Sequence, residues 1–295
     1  MAASAEAAVP TATTGNVTNV TQSTARLHGS VKPNRQSTTW HFEIGTTTAY
    51  GAATAEQGPV AAGAGTTNVA ADVGALAPGT VYHYRVVATN ASGSIPGRDR
   101  TFTTRSAVAL NASSTSTLFN RNVTLSGQVF GTAVAGITVT LQENPYPFSG
   151  WNNISTTTTD ASGRYQFIRQ LKTNTAWRAV AGTRPPGTSN TAFTLERDTV
   201  SLKASTTRPK RGRSVLFTGF STPARIGNTV YIQRLGKRGW RTVLKAKLSP
   251  TPIADFASYA VRLRHVVSGL YRASVASGYD HLGNTTKSKR ITIRR

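Results

Sequence analysis

The chain of 295 residues has no cysteine and a single methionine. Without cysteine there are no disulfides and no thiolate metal sites. Only 11 residues are Asp or Glu. That is a poor stock for acid–base chemistry, which needs two carboxylates converging in a cleft. No run of apolar residues approaches the length of a membrane-spanning helix. No window of a dozen residues keeps the apolar period of an amphipathic helix, and long runs of Leu, Glu, Lys and Ala are missing. There is no Gly-x-Ser-x-Gly elbow, no His-Glu-x-x-His pair and no glycine-rich phosphate loop. These absences point away from hydrolases, zinc enzymes and nucleotide-binding folds, and no cofactor is expected.

What remains is rich in Thr, Ser, Val, Gly and Asn, with apolar residues recurring every second position. Residues 74–104 carry the clearest pattern. Pro78-Gly79 is a turn. Tyr82, Tyr84 and Val86 then alternate with His83, Arg85 and Val87, Asn90 to Gly93 form a loop, and Thr101-Phe102-Thr103 begins the return strand. Period-two alternation predicts a hairpin with one face buried. Leu27, Gly29 and Val31 predict one inward set upstream, and Trp40, Phe42 and Ile44 another.

The Leu-x-Pro-Gly-Thr-x-Tyr corner at Leu76 to Tyr82 and the following Tyr-x-Tyr-Arg-Val strand resemble the end of a bacterial fibronectin type III domain. Gly45 to Gly51 resembles the Gly-Thr-Thr-x-x-Tyr-Gly turn of actinobacterial members of that family. The resemblance implies a β-sandwich at 14–104, and a spacer or binding role outside the cell rather than catalysis. Residues 1–13 are expected to be a disordered, Ala-rich start. MAASAEAAVP lacks the basic and apolar parts of an export signal but looks like the region around a cleavage site. A trimmed exported chain and an Ala-rich cytoplasmic start are both open.

The rest of the chain holds an internal repeat. Val108 to Ser113 aligns with Val200 to Ser205, Val123 to Gly127 with Val215 to Gly219, and Trp177 to Ala181 with Tyr271 to Val275. Trp151 matches Trp240. The offset is about one sandwich in length. Thr159 to Phe167 resembles the Thr-Asp-x-x-Gly-x-Tyr-x-Phe hairpin of secreted prealbumin-like and Ig-like repeats. The expected architecture is therefore all-β: a fibronectin type III-like unit at 14–104, an Ig-like unit at 105–197 and a basic Ig-like unit at 198–295. Their linkers are short, so they should form an elongated rod.

Charge is unevenly shared. Residues 1–104 carry net +1, residues 105–196 net +4, and residues 197–295 net +18, from 21 Lys/Arg against three Asp/Glu. That exceeds the roughly 2–8 charges that keep a small domain soluble. Strict alternation through Trp240 to Leu248 places Trp240, Thr242 and Leu244 inward and Arg241, Lys245 and Lys247 outward. By the same phase Arg262, Arg264, Arg290 and Arg294 face solvent. The loop containing Arg208, Lys210, Arg211 and Arg213 and the turn Gly236-Lys237-Arg238-Gly239 add cations at the sandwich ends. The four loop residues and the seven strand residues, eleven in all, are the candidate polyanion site. The partner would be an anionic wall polymer, an acidic polysaccharide, non-specifically bound nucleic acid or anionic lipid. A solvated basic face that only aids solubility is the competing reading.

Two further constellations are weighed. In the fold that the type III resemblance implies, His41 and His83 lie on neighbouring strands beside Glu43 and Arg85; a two-His, one-Glu metal site is weighed there, but Arg85 would repel a cation and an exposed polar cluster is favoured. Tyr146, Phe148 and Trp151 lie in or beside a Pro/Gly loop that could stack on sugars. The repeat-equivalent Trp151 and Trp240 are expected instead to plug equivalent cores. The functional expectation is an exported or cell-surface, non-catalytic spacer or adhesive module. Alternatives are a carbohydrate-binding accessory protein or the non-catalytic part of a larger exported hydrolase.

Overall fold

A computed structural model describes residues 8–294. Among these residues there is no helix, and the strands form six sheets whose pairings are antiparallel with a single parallel exception. The chain is all-β, and its sheets pair into sandwiches around three separate apolar cores. The accessible surface is 16448 Å². A compact monomer of this mass would expose about 12,000 Å². The excess is what small cores built in series produce.

The first core lies between two sheets. Thr11–Thr14, Ala25–Lys32 and Thr67–Val73 make one. Thr38–Gly45 and Val81–Asn90 are the centre of the other, edged by Gln57–Val60, Gly93–Pro96 and Arg100–Thr103. The alternation in Ala25–Lys32 and Thr38–Gly45 is almost perfect, so Leu27, Val31, Phe42 and Ile44 are buried while His28, His41 and Glu43 are not. Strand sequence of this period can only bury one face. The expected disordered start does not extend to residue 13. Thr11 to Thr14 pair in register with Lys32 to Gly29, and Asn34 Nδ2 donates to the Val9 carbonyl. The remainder of that expectation, residues 1–7, lies outside the described residues.

The second and third cores share one plan. In each, a strand pair crosses at a glycine under a tyrosine. Tyr165 Oη donates to the Ala109 carbonyl at 2.6 Å, and Tyr259 Oη to the Ser201 carbonyl at 2.6 Å. A Cβ at Gly127 or Gly219 would run into those carbonyl oxygens and the tyrosine rings. The repeat therefore conserves a contact between its halves, Gly127 with Tyr165 and Gly219 with Tyr259, as well as a hydrophobic pattern. Burial pushes both phenols above their ordinary range.

The joints are direct. At the first, the Gly79 carbonyl accepts from Thr132 Oγ1 at 3.0 Å, and Gly79 faces Gly131 so closely, both at positive φ, that a side chain at either would be strained. The Pro78-Gly79 turn thus abuts the following unit. At the second, Asp198 N donates to Leu282 O, Leu282 N to Glu196 O and Asn174 N to Asp280 O.

Gly219→Ala is expected to lower the stability of the third core by about 1–3 kcal/mol, because backbone cannot move away from the new methyl. Tyr259→Phe should cost about 1 kcal/mol through the orphaned Ser201 carbonyl. Chemical denaturation monitored by tryptophan fluorescence checks both. An unchanged midpoint for Gly219→Ala contradicts this packing.

Candidate polyanion interface

The path of the chain decides where the charges of residues 198–295 sit. Val215–Thr222 runs from the far end of the sandwich toward the second unit, and its antiparallel partner Ala257–Leu263 runs back. Thr229–Gly236 runs outward, Gly239–Lys247 returns, and Gly269–Val275 starts again from the far end. Four segments therefore meet at that end: the 205–214 loop, the 237–238 turn, the 264–268 loop and residues 292–294. They bring Arg208, Lys210, Arg211, Arg213, Lys237, Arg238, Arg264 and Arg294 together, with Arg262 and Arg290 at adjoining strand positions. The basic loop is tied to the C-terminal segment. Arg294 N donates to Pro209 O, Arg211 N to Arg294 O, and Arg294 Nε to Arg208 O. Arg262 Nη1 donates to Ser214 Oγ.

Among the described residues no acid side chain opposes them. Asp198, Asp255 and Asp280 all lie on loops or strand starts toward the second unit. The far end is thus a cationic surface with no carboxylate side chain among the described residues to partner it. Unpaired like charges repel one another, and an external polyanion relieves that repulsion while releasing its counterions.

The structure divides the eleven candidates. Arg208, Lys210, Arg211, Arg213, Arg262, Arg264, Arg290 and Arg294 belong to the far end. Lys245 and Lys247 do not. Lys247 pairs with Thr229 and lines a pocket beside Asp198 and His281 at the joint. The expected phase of Gly239–Lys247 also fails. A bulge at Val243 pairs Thr242 with Gln233 but Leu244 with Ile232. An extra residue shifts the alternation by one. Leu244 keeps the core face, while Thr242 and Trp240 share the outer face with Lys245 and Lys247. Arg241 falls on the other phase, opposite Arg234 at the open far end. Lys237 and Arg238, in the turn expected to add cations at a sandwich end, stood outside the candidate set, and so did Arg234.

The two tryptophans do not plug cores. Trp151 and Trp240 are half-buried on the outer sheet face, each over a guanidinium: Arg178 at 4.3 Å and Arg272 at 4.2 Å from the ring centroid. The large core residues are instead Trp177, Tyr84, Tyr271, Phe42 and Phe217. Tyr146, Phe148 and Phe193 meet edge-on, at 85° and 75° between planes, so no two rings share a flat face for a sugar.

His41 and His83 do not form a pair. His41 faces Val87 and His83 faces Gly45, four residues apart along the same strands. His41 Nδ1 meets Glu56 and His83 Nδ1 meets Asp99, each at 2.8 Å. Among the described residues no group of His, Asp and Glu is placed to hold a metal ion. Five surface cavities of 350 to 880 Å³ each present one carboxylate: Asp160, Glu143, Asp99, Asp72 and Asp198. Asp160 is committed to its turn, accepting from Ser162 and from the Arg164 amide, which holds it below the usual carboxylate range.

Carboxylates do converge at the second joint, and an arginine fills the space between them. Arg225 Nε donates to Asp198 Oδ1 at 2.8 Å, Nη1 to Asp280 Oδ2 at 2.6 Å and Nη2 to Glu196 Oε2 at 2.7 Å. Both ring nitrogens of His281 face acceptors, Asp280 Oδ1 at 2.6 Å and Ala276 O at 3.2 Å. Glu196 and Asp198 are buried, and Glu196 Oε1 has no partner. Burial, then the Asp198 charge, pushes Glu196 up to about 7. Burial also raises Asp198. For Asp280 burial acts in the same direction, but hydrogen bonds from His281 and Arg225 outweigh it and hold the group below its ordinary value. The cluster is a salt-bridged fastening, with the guanidinium where a substrate or cation would have to sit.

No protein-family model and no curated protein matches the chain. Among solved structures it is similar to the FN1–FN3 domains of chicken CNTN1, at 15% identity and a TM-score of 0.26 over 96% of this chain and 99% of that one. It is also similar to the ectodomain of the teleost fish polymeric Ig receptor, at 9% identity and a TM-score of 0.28 over 63% and 97%. Scores this low carry no inference. The sandwich architecture rests on the sheets themselves. Among the described residues no helix is long and apolar enough to cross a membrane.

The raised Glu196 gives the joint a pH dependence of defined sign. A carboxyl whose folded value lies above its unfolded one binds more protons when folded. Its contribution is complete below the unfolded value and is lost as pH rises through about 7. Thermal unfolding of the full chain is expected at higher temperature at pH 5 than at pH 8, and Glu196→Gln should flatten the difference. An equal pH dependence in Glu196→Gln would place its origin elsewhere.

Proposed function

We propose that this is a modular, non-catalytic β-sandwich protein of the extracellular or cell-envelope space, acting as a spacer or adhesive module. Its units are 14–104, 105–197 and 198–295 with the start extended to Thr11, the first of fibronectin type III type and the others Ig-like. Its third unit binds polyanions at the far end. The observation that carries the reading is the segregation of charge. The cations of four segments meet where, among the described residues, no Asp or Glu lies, while Asp198 and Asp280 are spent on Arg225 at the opposite end. A solubilising face needs no such sorting, because interspersed signs solubilise as well. The ligand class is a flexible anionic polymer, recognised by charge density more than by sequence. That suits a wall polymer or acidic polysaccharide and accommodates nucleic acid.

The test is titration of the full chain with heparin, polyphosphate and single-stranded DNA at several salt concentrations. With about five phosphate contacts the log–log salt slope should be about −3.5 to −4.5. Reversing Arg208, Arg211, Arg213 and Arg264 to Glu should abolish most of the affinity without unfolding the sandwich, since these side chains face solvent. Reversing Lys245 and Lys247 should cost less. Equal losses from the two sets, or binding independent of salt, would contradict the assignment.

A further inference from the structure

Arg85, Arg178 and Arg272 hold one position in three units. Each stands directly opposite an acceptor on the neighbouring strand, Glu43, Gln142 and Gln233 respectively. Each donates its Nε to that acceptor, at 2.6, 2.5 and 2.8 Å. Each lies against an aromatic ring, Tyr50 at 4.5 Å, Trp151 at 4.3 Å and Trp240 at 4.2 Å. The stack fixes the guanidinium plane and the Nε bond fixes its rotation about that plane. The Nη atoms bond no other side chain or carbonyl among the described residues.

A planar guanidinium held by one edge offers the other edge as a two-donor fork matched to carboxylate and phosphate. Holding the side chain beforehand removes most of the ordering cost that weakens an exposed arginine. The three clamps differ in one respect. Glu43 neutralises Arg85, with Nε to Oε2 at 2.6 Å. Gln142 and Gln233 satisfy the same donor without cancelling its charge. Hydrogen bonding alone would be served by glutamate in every unit. Glutamine in the two more basic units leaves a full positive charge on a fixed fork.

We propose that Arg178 and Arg272 are preorganised oxyanion-binding positions. The polymer held at the far end then continues along the outer sheet face of the third unit onto the second. Arg85 is the same clamp, silenced by Glu43. This rests on the polyanion reading above and adds to it two residues, a path and a preference for ligands with planar or tetrahedral oxyanions over diffuse negative charge.

The experiment uses the full chain with two probes, polygalacturonate for carboxylate and inorganic polyphosphate for phosphate, followed by titration calorimetry. Arg178→Lys with Arg272→Lys keeps the net charge and removes the fork. It should lower affinity roughly tenfold for the preferred probe, the loss appropriate to a charge-assisted hydrogen bond. The probe that loses more identifies the oxyanion. Gln142→Glu with Gln233→Glu should weaken binding at an unchanged melting temperature, because the first unit already folds with glutamate in that place. Glu43→Gln should strengthen binding. If the lysine variant melts early, the Gln→Glu and Glu43→Gln pair decides. Wild-type affinity in both of those, while the far-end reversals still abolish binding, overturns the clamp proposal and leaves the polyanion reading standing. A wild-type chain that binds neither probe overturns both.

Discussion

The three-armed ion pair of Arg225 with Glu196, Asp198 and Asp280 is the contact on which the layout of this chain depends. It joins the last strand of the second unit to two loops of the third. It also gathers acids. With Asp198 and Asp280 at the joint and Asp255 on a neighbouring loop, no Asp or Glu side chain of the third unit is left for the far end. A buried ion cluster adds little net stability compared with a packed apolar one, because desolvation offsets the Coulomb gain. Its value here is geometric. Only the Glu196 arm crosses between the units, since Asp198, Arg225 and Asp280 all belong to the third, so separating the units would leave Glu196 buried without its partner or force it into water. The joint is therefore specific in angle, and the polarity of the third unit is fixed along the axis of the chain.

Around that joint the sandwiches follow elementary rules. Period-two alternation buries Leu27, Phe42, Val123, Leu141, Val215 and Ile232 in three small cores. The outer faces are left to polar groups, and on them the arginine clamps recur in matching register. Arginine is suited to the place because its flat cation can stack and hydrogen-bond at once. The recurrence of this arrangement across all three units, with Tyr or Trp and Glu or Gln exchanging, marks it as a property of the paired strands rather than of one sequence.

What could be read from residues alone follows the same division. The alternating strands, the Thr159 to Phe167 hairpin and the 108/200 repeat are local patterns, and local patterns declare themselves. Arg262 and Arg290 were assigned to solvent correctly because their strands run without interruption. Gly239–Lys247 misled because the bulge at Val243 inverts the phase, and nothing in Thr-Val-Leu announces a bulge. Trp151 and Trp240 were assigned to cores from their equivalent places in the repeat, yet a tryptophan that reaches across one strand to stack on an arginine can stay outside. The Arg225 cluster was invisible. Its members are separated by up to about 80 residues, and Arg225 stands in the small-residue segment Thr222-Pro223-Ala224 to Gly227. Only the topology, which returns residues 276–283 to the start of the third unit, brings them together.

The central claim is that charge in the third unit is sorted along the axis, with a binding end and a fastening end. Amide chemical-shift mapping of the isotopically labelled chain during titration with polyphosphate tests it most directly. The account predicts the largest perturbation at Arg208 to Arg213, Gly236 to Gly239, the 264–268 loop and residues 292–294, reaching Arg272 and Arg178 along the outer face, with Asp198, Arg225 and Asp280 unmoved. Perturbations spread evenly over both ends, or centred on Lys245 and Lys247, would contradict it.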